Sequence, residues 1–129
     1  MDQSVNVLVV EDNPNLRKVL VNIVKKIGFP QVFEAEDGME AWEALEKEKV
    51  GLVLADWNMP RMSGLELLQK MRGSSSAANI PFLMITASDT KESIITAGKH
   101  GVDAYIIKPF SVTTISEKIE EAMSKRSAS

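Results

Sequence analysis

The feature that most constrains this 129-residue chain is a repeated alternation between two hydrophobic periods. Residues 5–10 (VNVLVV) are almost continuously apolar and β-branched, the pattern of a strand covered on both faces. Residues 50–55, 82–85 and 105–107 repeat that character. Residues 31–35 (QVFEA) are fewer and carry polar side chains, which places them at a sheet edge.

Helical patterns separate these strands. Leu16, Val19, Leu20, Ile23, Val24 and Ile27 recur at the three-and-four spacing, with Asn13 as N-cap, Pro14 at the first helical position and Gly28 as the stop. Asp37 with Glu40, and Ser63 with Glu66, read as capping boxes. The first opens a helix that buries Trp42 and Leu45; the second opens one that buries Leu65, Leu68 and Met71 and stops at Gly73. Residues 89–99 and 112–123 complete the set, the last with Val112, Ile115, Ile119, Ala122 and Met123 on one stripe. In that fourth helix one of Ile94 and Ile95 is expected to face the core.

Strand followed by helix, five times over with short connections, predicts a parallel sheet with helices on both faces: a doubly wound α/β fold. A single domain over residues 1–129 is expected, with its core at about 5–123 and with neither an internal repeat nor a linker. Residues 73–79 (GSSSAAN) read as a flexible surface loop and residues 124–129 as a frayed tail.

Composition narrows the function. Hydrophobic residues make up 44% of the chain, enough for a real core. No apolar run approaches the roughly 18 residues of a membrane span, and residues 1–4 lack a basic stretch or cleavage site, so a cytoplasmic location is expected. The absence of Cys excludes disulfides and thiolate metal sites. With a net charge of −3 and dispersed Lys and Arg, neither nucleic acid nor an anionic membrane is an expected partner.

Ligands of an open α/β sheet bind beyond the carboxyl ends of its strands. Here those positions hold Glu11 and Asp12 after the first strand, Asp56 after the third, Thr86 after the fourth, and Lys108 with Pro109 after the fifth. At about 5 Å and an effective dielectric near 20, each pair of converging carboxylates repels by roughly 3 kcal/mol, so a cation is required. An all-oxygen cluster with no Cys or nearby His favours a hard ion, and Mg²⁺ suits two or three carboxylates with a carbonyl and waters. Lys108 supplies a fixed positive charge and Thr86 a hydroxyl, which together could hold a phosphoryl group on an Asp. Taken singly, each acid reads as an ordinary helix-start charge; their joint placement favours chemistry.

Val9-Val10-Glu11-Asp12, residues 56–64 (DWNMPRMSG), Thr86-Ala87-Ser88 and residues 105–110 (YIIKPF) together resemble the response-regulator receiver domains, most closely their single-domain chemotaxis branch. The resemblance covers about residues 5–123. It implies a flavodoxin-like sheet of order 2-1-3-4-5, with Asp56 as phosphoacceptor from a sensor histidine kinase or a small acyl phosphate. It implies Mg²⁺ held by Asp12, Asp56 and the Asn58 backbone carbonyl, with Glu11 acting through water. Lys108 would pair with the phosphoryl oxygens, Thr86 would be drawn towards them, Tyr105 would change rotamer in response, and the Lys108-Pro109 bond would be cis. The implied output surface takes in Lys91, Ile94, Ile95, Lys99, Tyr105 and Lys118. Implied partners are the kinase, a phosphatase and a target such as a flagellar motor switch protein, met by a monomer that changes only its own phosphorylation state.

Other residues have plainer readings. His100 precedes Gly101 at a helix end and is expected at the surface. Trp57 adjoins Asp56 and can report on it, whereas Trp42 is expected in the core. Residues 46–49 (EKEK) read as a solvated helix end, and Met59 and Met62 flank Pro60 in the loop after Asp56. An Asp-nucleophile phosphatase is the competing enzyme, but it needs an acidic residue where Asn58 stands. A receiver in a pathway other than chemotaxis, or an unphosphorylated binding module, are the remaining readings.

Overall fold

The computed structural model describes residues 3–127. Five parallel strands form one sheet: Val7–Val10 (β1), Val32–Ala35 (β2), Leu52–Asp56 (β3), Phe82–Thr86 (β4) and Ala104–Ile107 (β5), in the order β2-β1-β3-β4-β5. The helices between and after them are Pro14–Ile27 (α1), Gly38–Lys47 (α2), Gly64–Arg72 (α3), Lys91–Lys99 (α4) and Val112–Ser127 (α5). The expected alternation, edge strand and sheet order are all present, and no helix among the described residues is long and apolar enough to cross a membrane.

The sheet divides the core in two. Val7, Val9, Leu52, Leu54, Leu83 and Ile85 point to α1 and α5, where Leu20, Val24, Ile115 and Ile119 meet them. Leu8, Val10, Val53, Ala55, Phe82 and Met84 point the other way, onto Ala41 of α2 and Leu67, Leu68 and Met71 of α3. Alternation of side chains across a strand makes this division, and coverage of both faces explains why the strands show no polar alternation. Register then aligns the strand ends: Val10 lies opposite Ala35 and Ala55, Asp56 opposite Ile85, and Thr86 opposite Ile107. Residues at and just beyond these positions emerge side by side at one edge of the sheet.

Helix starts follow their expected chemistry with one exception. Asn13 caps α1 through its side chain, Pro14 follows it, and Gly28 closes the helix with φ of 133°. Ser63 and Glu66 form a complete capping box. Asp37 caps α2, but Glu40 turns its carboxylate to the amide of Glu36, so that box is one-sided.

Burial departs from the periodic stripes where a helix packs by a narrower face. Val19 is 47% exposed and Val21 takes the buried position instead, and Val112 is 38% exposed at the start of α5. Ile94 and Ile95 are both exposed, because the face that α4 buries carries Ala97 instead. Trp42, Leu45 and Leu65 are half-buried against the core, while Leu67 is fully enclosed.

The expected frayed tail is also corrected. Helix α5 continues past residue 123 because Arg126 reaches buried Asp103, with Nε 2.8 Å from Oδ1, and donates to the carbonyl of Gly101. Arg72 binds the other Asp103 oxygen at 2.9 Å and the carbonyls of Ala78 and Ile80. These contacts pin the surface loop at 73–79, which also buries Ala77. Residues 128 and 129 of the expected tail lie outside the described residues.

Candidate phosphoryl and cation site

Glu11, Asp12 and Asp56 bring carboxylate oxygens within 4.8 Å of one another. Glu11 leaves β1 as Asp56 ends β3, and the register just described puts them at one level. Both are buried, Glu11 to 1% and Asp56 to 7% exposure, whereas Asp12 faces solvent. The Glu11 carboxylate accepts from the Asn13 amide at 3.0 Å, and its backbone carbonyl accepts from Arg17 of α1 at 2.7 Å.

Lys108 closes the site from β5. Its Nζ lies 3.4 Å from Glu11 Oε1 and 3.5 Å from Asp56 Oδ1, and its amide donates to the Thr86 carbonyl. The Lys108-Pro109 peptide is cis. One ammonium does not offset three carboxylates. Burial, with Asp56 adding repulsion, pushes the Glu11 carboxyl up to about 7 despite the Asn13 amide and Lys108. Burial also raises Asp56, with Lys108 opposing the shift. Buried oxygens that resist ionisation this way, with no sulfur or imidazole among them, are the donor set of a hard divalent cation.

Thr86 is fully buried, and its Oγ1 accepts from the Ser88 amide at 3.1 Å. Tyr105 is turned inward: its hydroxyl donates to the Ser88 carbonyl, and its ring meets Trp57 edge-on at 6.4 Å between centroids. Burial raises the Tyr105 phenol above its ordinary range. The Ser88 side chain continues to Ser93 of α4 at 3.0 Å. Ser88 thus touches Thr86, Tyr105 and α4, a convergence that helix periodicity alone does not reveal.

Asn58 is exposed on the β3–α3 loop. That loop is cinched by the Gly64 amide, which donates to the Trp57 carbonyl at 2.9 Å. Gly64 packs so closely that a Cβ there would overlap the Asp56 carbonyl oxygen. Arg61 stands at the loop tip with φ of 63°, a left-handed conformation costing a non-glycine residue roughly 1–2 kcal/mol.

Of the expected output residues, Ile94, Tyr105 and Lys118 line one cavity of about 350 Å³ with Ile107 and Lys125. Lys91, Ile95 and Lys99 are exposed on α4 outside it. His100 caps the end of α4 at the surface, as expected. Arg17 and Arg61 were not singled out by sequence, since each acts by reaching across elements that spacing does not relate.

A family model described as the response regulator receiver domain matches residues 7–120. A chemotaxis protein CheY homolog of Campylobacter jejuni is 42% identical over 117 residues, which is 90% of this chain and 90% of that protein. The Vibrio cholerae chemotaxis protein CheY4 superposes with a TM-score of 0.86 at 27% identity, covering 92% of this chain and 98% of that one. A CheY-like response regulator receiver domain protein from Methanospirillum hungatei gives the same TM-score and identity over 97% of this chain and 98% of its own.

Proposed function

We propose, on the premise that this chain belongs to the response regulator receiver domain family, that it is a phospho-aspartate switch serving chemotaxis. The observation that carries the reading is Asp56 buried between Lys108 and the carboxylates of Glu11 and Asp12.

The Asp56 carboxylate attacks the phosphorus of a kinase phosphohistidine or an acyl phosphate. A phosphorus–oxygen bond forms and the bond to the leaving group breaks. Mg²⁺, held by Asp12, Asp56 and the Asn58 carbonyl with Glu11 through water, would supply Lewis-acid neutralisation of the developing charge. Lys108 is positioned to balance added negative charge on Asp56, and the Thr86 hydroxyl is poised one strand away to donate to a phosphoryl oxygen. Rotation of Thr86 would withdraw the acceptor that holds the Ser88 amide, and Ser88 carries the Tyr105 hydroxyl and the start of α4. A charge change at Asp56 is thereby passed to the face of Lys91, Ile94, Ile95, Lys99, Tyr105 and Lys118.

The output is contact with a target protein; the name of the Campylobacter relative, a chemotaxis protein, supports a target in that pathway, and a flagellar motor switch protein is the target proposed. The chain acts in the cytoplasm as a monomer and turns over no separate substrate. A phosphatase is the further partner proposed.

Acetyl phosphate with Mg²⁺ tests the reading by intact mass. One phosphoryl adduct, absent from Asp56→Asn, is expected; no adduct with acetyl phosphate and no response to beryllofluoride would replace the switch with a constitutive binding module.

A further inference from the structure

Arg61 is the one non-glycine residue with positive φ among the described residues. Glycine and asparagine adopt that conformation more readily, and a costly conformation persists where its surroundings over-determine it. The surroundings here are specific. Arg61 Nε donates to Asp37 Oδ2 at 2.7 Å and Nη2 donates to the same oxygen. Asp37 is 2% exposed, and its other oxygen caps α2 by accepting from the Glu40 amide at 2.9 Å.

A second tie follows directly. The Gly38 amide donates to the Met62 carbonyl at 3.0 Å, and Met62 fills the space that a Cβ on Gly38 would need. The β3–α3 loop is therefore anchored at its far side to the start of α2 and at its base by Gly64 to Trp57. Between these fixed points lies Asn58. A cavity of about 430 Å³ lined by Asp12, Glu36, Asp37, Pro60 and Arg61 opens beside the acidic cluster.

We propose that Arg61, acting through Asp37, is a positioning residue for the cation site: the pair buckles the loop to α2 and holds Asn58 in the conformation that binds Mg²⁺. This rests on the reading that Asn58 and the acidic cluster take up the ion. Arg61 touches neither the ion nor the phosphoryl group in this scheme.

Charge and position make opposite forecasts for Arg61 and the same forecast for Asp37, so Arg61 is the deciding residue. Removing the Arg61 cation beside an acidic cluster would tighten Mg²⁺ binding by electrostatics alone, and neutralising Asp37 would weaken it. Loss of the buckle weakens binding in both cases.

The test uses the full chain carrying Trp42→Phe, leaving Trp57 as the sole tryptophan reporter of an Mg²⁺ titration. Arg61→Asn adopts positive φ without spanning to Asp37, and Asp37→Asn keeps the cap on α2 while losing the charge. Each is expected to weaken Mg²⁺ affinity roughly tenfold, the lower end of what partners that orient metal ligands contribute. The double variant should be no weaker than either single, and Arg61→Lys should recover part of the loss. Should Asp37→Asn fail to fold, Arg61→Asn decides the matter alone. Unchanged or tighter binding in Arg61→Asn, with the parent titrating normally, overturns the positioning role and leaves the receiver reading standing. A parent that does not bind Mg²⁺ overturns both.

Discussion

The Tyr105 hydroxyl donates to the backbone carbonyl of Ser88 at 3.0 Å, and the amide of the same Ser88 donates to Thr86 Oγ1. Tyr105→Phe removes the first of these bonds while keeping the ring against Trp57. We expect a loss of about 1 kcal/mol, the usual net value of one such bond, with acetyl phosphate still labelling Asp56. Urea midpoints and intact mass read the two effects separately.

Lys108→Ala withdraws the ammonium that faces both Glu11 and Asp56. The rate of Asp56 phosphorylation at saturating Mg²⁺ should fall by about 10²–10³, the scale on which one electrostatic stabiliser contributes. Mg²⁺ should bind more tightly, because the carboxylates lose a competing cation. A Trp57 titration beside single-turnover labelling would show the two moving in opposite directions.

How far the sequence disclosed this fold depends on which physics each residue answers to. Continuous apolar strands and the caps at Asn13 and Ser63 are local signals, and the alternating elements follow from them, whereas the sheet order was legible only through the family resemblance. Glu11, Asp12, Asp56, Thr86 and Lys108 were legible as a group because strand ends in a parallel sheet must emerge together. The outward side of Val19, Ile94 and Ile95 was not, since helical periodicity gives a stripe but not which edge of it the sheet covers. Nor was the ordered end of α5, which depends on Asp103 more than twenty residues away.

Gly64→Ala places a methyl group against the Asp56 carbonyl and within 3.0 Å of Met84 Sδ. Backbone cannot yield there without moving Asp56. A loss of about 2–3 kcal/mol is expected, lowering Tm by roughly 10 °C in calorimetry. Ser63→Ala, one residue earlier, removes only a cap and should cost about 1 kcal/mol.

The Asp37 carboxyl gives the acid limb of stability a definite sign. Burial alone would raise it, but the Glu40 amide and the Arg61 guanidinium outweigh burial and hold it below the usual aspartate range. Its contribution is present above the unfolded value of about 3.9 and is lost as pH falls through the depressed folded value. Urea denaturation should therefore find Asp37→Asn less stable than the parent at pH 6, with the gap narrowing at pH 3.

The bond from Arg126 to Asp103 lies at the pole of the sheet opposite the Glu11, Asp12 and Asp56 cluster, where β5 begins. A chain cut after Lys125 would keep every residue assigned to phosphoryl chemistry and lose that anchor. Limited proteolysis near the C-terminus would thus separate two properties that the intact molecule joins: capacity to accept the phosphoryl group, which survives, and the fixed placement of α5 beside the Tyr105 cavity, which loosens.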